Sequence, residues 1–299
     1  MDWINIAILS AVVMGGVSIL DSHLLSKRMP GLRAFLLPVA IIHLIYGLLL
    51  FILFPLPEGI GLWPVFMAVV SSVLRTAAVL IMLDSLKRKE VSRVIPVVYS
   101  YPIFVALMAV PLLGESLNSM DWLAIVIVVS GAVIVSAGQN PFGSFTWHGR
   151  TLLLFGSSLL FAAADVAGKY ALAYISFWNM FWLTAFVMAG IFLSISVRPQ
   201  VIRQLASMGR RNSTIGLLTF NETLAPVGIV LSFWALERGP VFLTSTIIGS
   251  RPMFVLVFAI ILSRLAPTFL EWHSGKRILI LRLVATAMII GGITIIHLT

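Results

Sequence analysis

Leu86–Val105 reads LKRKEVSRVIPVVYSYPIFV, and 150 residues later Leu236–Val255 reads LERGPVFLTSTIIGSRPMFV. Seven of the twenty aligned positions are identical: Leu86/Leu236, Arg88/Arg238, Val91/Val241, Ser100/Ser250, Pro102/Pro252, Phe104/Phe254 and Val105/Val255. Each copy is a charged loop that runs into an apolar segment with a proline near its middle. Self-similarity at a fixed offset is the mark of a duplicated unit, and it takes precedence over local pattern in deciding a fold. Within a membrane chain it predicts two related halves that enclose a site.

Composition supplies the membrane. The 299 residues are 60% hydrophobic and only 10% charged, with a mean hydropathy of +1.08. A soluble domain carries about 25% charged residues, and the apolar runs here repeatedly reach the roughly 20 residues that cross a bilayer as a helix. An all-α, polytopic membrane protein is expected. The net charge of +9 suggests nucleic acid at first sight, but the basic residues sit in short loops, where they set topology; no nucleic-acid partner is expected. The absence of cysteine excludes disulfides, thiolate metal sites and cysteine nucleophiles. The opening MDWINIAILS has an acid and no basic stretch, so it reads as a retained first span rather than a cleaved signal.

Ten spans are predicted. Five lie near Ile4–Leu25, Ala34–Phe54, Leu62–Leu83, Val94–Leu113 and Trp122–Ala137. Five more lie near Leu152–Tyr174, Phe177–Val197, Thr214–Leu236, Val241–Ser263 and Ile278–Leu298. The Gly/Asn/Pro-rich GQNPFGSFTWHGR separates the groups, giving units at residues 1–140 and 148–299. The loops after spans 1, 3, 5, 7 and 9 hold Lys27, Arg28 and Arg33, then Lys87, Arg88, Lys89 and Arg93, then Arg150, then Arg198, Arg203, Arg210 and Arg211, then Arg264, Lys276 and Arg277. The opposite side has only Arg238. The positive-inside rule therefore places both termini outside a cell (inner or plasma) membrane.

The same charges test the relation between the halves. An odd number of spans per unit flips the second copy, so each matching loop must change its charge. The loop after span 1 is basic and its counterpart after span 6 is not; PLPEGIG after span 2 has no basic residue, whereas RPQVIRQLASMGRR after span 7 has four. Two inverted five-helix repeats around a central cavity are the expected architecture.

The run Pro102-Ile-Phe-Val, then Gly114-Glu115-Ser-Leu, Asp121-Trp122 and Ser130-Gly131-Ala-Val-Ile-Val resembles the end of an EamA-type repeat of the drug/metabolite transporter superfamily. A looser copy runs from Arg251-Pro252 through Trp272 to Gly291-Gly292, without the Gly-Glu pair and with about ten extra residues before the last span. The resemblance implies a ten-helix carrier with alternating access, whose relatives move amino acids, nucleotide sugars, phosphorylated sugars, amines or lipid-linked intermediates. Many such relatives keep both termini in the cytoplasm; the charges of this chain argue the reverse.

A charge at mid-bilayer costs about 2.5–3.5 kcal/mol on insertion scales, so each intramembrane ionisable residue needs a partner or a wet cavity. Arg75 lies mid-span 3, able to clasp an anionic cargo group or to pair with a carboxylate. Asn221 and Glu222 lie in span 8, at the positions where the first half has Ser71 and Ser72. A carboxylate removed from water can load and release a proton, which makes Glu222 a coupling candidate; the alternative is a standing bridge to Arg75 or Arg251. Pro102 and Pro252 are helix breaks, and around them Tyr99, Tyr101 and Arg251 are candidate cargo contacts. Asp165 and Lys169, four apart on one helix face, are expected to pair with each other, with a role in coupling as the other reading. His43 suits a proton relay or an interhelical hydrogen bond. Asp21, near the end of span 1, is a relay candidate that could equally reach the interface. Asn179 and Trp182 offer a polar contact and an aromatic wall; most other Trp and Tyr read as interface belt. Arg198–Arg211 suggests a basic amphipathic surface helix with Val201, Ile202 and Leu205 turned inward.

The deep cations outnumber the deep acids by one, which tilts the expected cargo toward an anionic or zwitterionic small molecule. The chain lacks HExxH, GxGD, GxSG and a phosphate loop, so an enzyme is not expected, nor a metal or other cofactor. Carriage of a small polar metabolite, proton-coupled or by exchange, is the leading reading. A translocase for a lipid-linked or amphipathic head group is the alternative.

Overall fold

The computed structural model describes residues 2–87, 97–136, 149–209, 211–265 and 276–298. Every regular element among them is helical. In chain order these are α1 (Trp3–His23, continued by a π-helical turn at Leu24–Arg28), α2 (Leu32–Leu53), α3 (Leu62–Lys87), α4 (Tyr101–Leu113), α5 (Ser119–Ser136), α6 (Gly149–Leu172), α7 (Phe177–Ser196), α8 (Pro199–Ala206), α9 (Arg211–Arg238), α10 (Val241–Ile248), α11 (Arg251–Leu265) and α12 (Lys276–Leu298). Among the described residues nine helical segments are long and apolar enough to cross a membrane, the pair α10–α11 counting as one, and α4 is a shorter apolar helix.

Two spans are broken where the repeat carries its proline. Residues 97 and 98 are helical, Tyr99 and Ser100 form a turn, and α4 starts at Tyr101; α10 ends at Ile248, Gly249 and Ser250 turn, and α11 starts at Arg251. Proline disfavours helix at the residue before it but suits the first turn of a new helix, where its missing N–H is not needed. Pro102 and Pro252 therefore each occupy the second position of a helix. The serine of each copy closes its break in the same way, Ser100 Oγ donating to Val97 O at 2.7 Å and Ser250 Oγ to Ile247 O at 2.6 Å. Residues 94–96 of the fourth predicted span lie outside the described residues.

Helix ends follow from local chemistry. Gly114, with φ +69°, ends α4 in the left-handed conformation that glycine adopts without a steric penalty. Ser176 and Asn179 form a reciprocal capping box at the start of α7. The surface helix is shorter than its charge pattern suggests, stopping at Ala206 before Ser207–Gly209. In it Val201 is buried, Leu205 is half-buried and Ile202 points outward.

Interhelical packing relies on small residues and hydroxyls, as expected where lipid offers no hydrophobic drive to association. Ser10 Oγ on α1 meets Ser232 Oγ at 2.7 Å and Gly228 O at 2.9 Å, both on α9. On the α3–α6 pair Ser71 Oγ donates to Ala164 O at 2.7 Å and Ser157 Oγ to Ala78 O at 3.1 Å. α2 packs on α7 through Gly47, and α5 on α12 through Gly131 and Gly292. Long apolar side chains such as Ile45, Leu49, Ile52, Leu123 and Ile290 face outward, where the acyl chains would lie.

Candidate functional site

A cavity of about 140 Å³ opens between α1, α2, α3, α6, α7, α9 and the two broken spans. Its wall carries eight of the polar residues singled out from sequence: Asp21, His43, Arg75, Tyr99, Tyr101, Asp165, Glu222 and Arg251. They form two groups.

The first group joins α3, α4, α6, α9 and α10. Arg75 Nη2 donates to Asp165 Oδ1 at 2.6 Å, and Ser245 Oγ donates to Asp165 Oδ2 at 2.6 Å. The Arg75 guanidinium also lies 5.1 Å from the centre of the Phe233 ring, an attractive arrangement for a cation over the π face. Tyr101 Oη donates to Ser245 O at 3.1 Å, tying α4 to the end of α10. Arg75 thus pairs with Asp165 rather than with Glu222.

The second group joins α1, α2 and α9. Asn221 Nδ2 donates to Asp21 Oδ1 at 2.7 Å and to Glu222 Oε1 at 3.2 Å, so one amide bridges two carboxylates. His43 Nδ1 lies 3.0 Å from Val39 O and 3.6 Å from Glu222 Oε2. The first is a hydrogen bond within α2, and the second is an approach too long to be one. Asp21 is therefore turned inward rather than to the interface. Glu222 and Asn221 are buried, and Asn221 Oδ1 has no protein partner.

Two expectations need correction. Asp165 and Lys169 do not pair. Lys169 Nζ instead donates to the carbonyls of Leu236 at 2.8 Å, Glu237 at 3.3 Å and Gly239 at 2.7 Å. A helix ends with carbonyls that lack partners and with partial negative charge, which suits an ammonium group, and this holds Lys169 on the end of α9. Nor do Asn179 and Trp182 line the cavity. Asn179 Nδ2 donates to Phe54 O at 2.8 Å and Pro55 O at 3.1 Å, and Trp182 Nε1 to Phe54 O at 3.1 Å, closing the end of α2.

The residues that sequence reasoning missed work through such closures. Glu115, half of the Gly-Glu pair, accepts the Val241 N–H through Oε1 at 2.9 Å and Oε2 at 3.1 Å, capping α10 from the other half of the chain. Glu237 Oε1 accepts the Phe177 N–H at 3.2 Å. Ser245 could have been suspected only from its place in the repeat. Among the described residues no group of three or more His, Asp or Glu side chains could hold a metal ion.

The sequence over residues 1–137, α1 to the end of α5, matches the EamA-like transporter family. The EamA-like segment supplies Asp21, His43, Arg75, Tyr99 and Tyr101 to the cavity, and the remainder of the chain supplies Asp165, Glu222 and Arg251. A solved crystal structure of a protein superposes with a TM-score of 0.68 at 18% identity, over 99% of this chain and 95% of that one. This likeness shows a fold shared with that structure over nearly the whole length of both chains. None of the curated proteins matches the sequence.

Proposed function

We propose that this chain is a secondary transporter that moves a small polar metabolite across a cell membrane by alternating access, using two inverted five-helix units at residues 1–140 and 148–299. The EamA-like family is one of membrane transporters of the drug/metabolite kind; the mechanism is our reading. The observation that carries it is a cavity within the membrane-crossing helices whose charged wall is drawn from both halves of the chain. Buried charge is costly in a bilayer and is retained where it does work.

Two further observations support the alternation. Helix pairs occur as mates under exchange of the halves: α1 with α9 answers α6 with α3, while α2–α7 and α5–α12 answer themselves. The cavity reaches Phe35, Met82, Leu83 and Phe192, near the helix ends that carry the basic loops. The opposite ends are held together by Lys169, Glu115, Glu237 and Asn179. In this reading the cavity is open on the basic-loop side and latched on the other.

In this reading the Asp21–Asn221–Glu222 group, with His43 beside it, is the coupling centre. Two carboxylates on one amide repel each other unless a proton is shared between them, so loading and losing that proton changes how α1 is held to α9. The test is transport in proteoliposomes with a panel of amino acids, amines, sugar phosphates and nucleotide sugars, with and without a pH gradient. Glu222→Gln should abolish gradient-driven accumulation and leave cargo exchange intact; accumulation at the wild-type level would refute the coupling role.

A further inference from the structure

We propose that the Arg75–Arg251 part of the cavity is an oxyanion subsite, built to hold the carboxylate or phosphate group of a small organic anion; this rests on the reading of the chain as a carrier. Two guanidinium groups from opposite halves, on α3 and α11, reach the same wall beside Tyr99 and Tyr101. One carboxylate faces them, Asp165, and both of its oxygens are engaged, one by Arg75 Nη2 and the other by Ser245 Oγ, each at 2.6 Å. Arg251 has no ion-pair partner among the described residues, and the buried Nε atoms of both arginines have no protein partner.

Arg75 keeps donors to spare after serving Asp165, because a guanidinium presents five N–H groups in a fixed fork. The backbone adds to the positive end. α4 and α11 both begin at the cavity, at Tyr101 and Arg251, and a helix N-terminus carries roughly half a positive charge. Two of the last four α10 carbonyls, which would oppose this, are occupied, Ser245 O by the Tyr101 hydroxyl and Ile247 O by the backbone and side chain of Ser250. Two arginines against one aspartate leave one uncompensated positive charge, which a single oxyanion neutralises. Asp165 then serves as the resident counter-ion, keeping Arg75 in place between turnovers. The acids that would favour an amine, Asp21 and Glu222, form a separate group bridged by Asn221.

The test uses the full-length chain in nanodiscs, melted with acetate, succinate or inorganic phosphate, and with ethanolamine, glucose or sodium chloride at matched ionic strength. Oxyanions should raise the melting temperature and the other additives should not. The more potent of carboxylate and phosphate identifies the group held. Arg251→Gln should weaken that effect about tenfold or more, while its own melting without ligand stays close to wild type, since no ion pair is lost. If Arg251→Gln melts early, Arg251→Lys becomes the comparison. It should weaken acetate and succinate more than phosphate, because a point charge replaces the planar fork. Absence of stabilisation by every oxyanion at millimolar concentration, or wild-type affinity in both variants, overturns the subsite. Oxyanion binding that depends on Arg251 without movement across proteoliposomes would instead remove the carrier reading. Accumulation of an amine without oxyanion binding would keep the carrier and remove the subsite.

Discussion

Arg75 and Asp165 show what a single residue can and cannot announce. A guanidinium in the middle of SSVLRTAAV is visible to any reader, because a charge there demands compensation. Its partner is not, since Asp165 lies 90 positions away and is brought near only by the packing of α3 on α6. Glu222 and Arg251 were legible as candidates for the same reason, and Ser245 was not, because a serine in an apolar helix is unremarkable. The pair makes a clear prediction. Removing one member of a buried ion pair strands the other at a cost of about 3–5 kcal/mol, whereas an apolar replacement of both is often tolerated. Arg75→Met and Asp165→Leu should each lower thermal stability by about that amount, and the double variant should recover most of it. Additive losses in the melting series would show that the two groups are not coupled.

At the scale of the helices, the nine long apolar segments among the described residues were legible because apolar runs of bilayer length are unambiguous, and the breaks because proline acts locally. Sequence reasoning misjudged what holds the helix ends. Lys169 was assigned to the acid one turn away, but carbonyls at the end of α9 compete for an ammonium group and here they win. Such tertiary caps leave no periodic trace. Lys169→Met should therefore release three carbonyls, at a cost of about 1–3 kcal/mol for the acceptors left without partners. It should also loosen the latched side. A cysteine introduced by Ser232→Cys into this cysteine-free chain is expected to react faster with a maleimide applied from the face carrying Glu58 and Glu115. Unchanged reactivity would confine Lys169 to a static cap.

For the whole molecule, the expected orientation rests on the loop charges. By the order of the helices, Lys27, Arg28, Arg198 and Arg203 fall on one side of the expected membrane and Glu58 and Asn118 on the other. A membrane-impermeant maleimide on intact cells should label Glu58→Cys and Asn118→Cys but not Ser207→Cys; the opposite pattern would put both termini inside and override the charge reading. The all-helical membrane class was legible because apolar runs of bilayer length recur along the chain. The cargo was not, because a cavity is a property of several helices at once and no single segment encodes its shape.

The crossing of α5 and α12 has a mechanical consequence. A methyl group added at Gly131 would sit 2.8 Å from Ala285 O, and one added at Gly292 would sit 2.5 Å from Val128 Cγ2. Contacts this close at two levels leave little clearance for sliding. The two helices must move together as one rigid pair at the lipid-facing edge of the bundle, and any rocking stroke has to be absorbed where hydroxyls and broken segments permit slip rather than at this crossing.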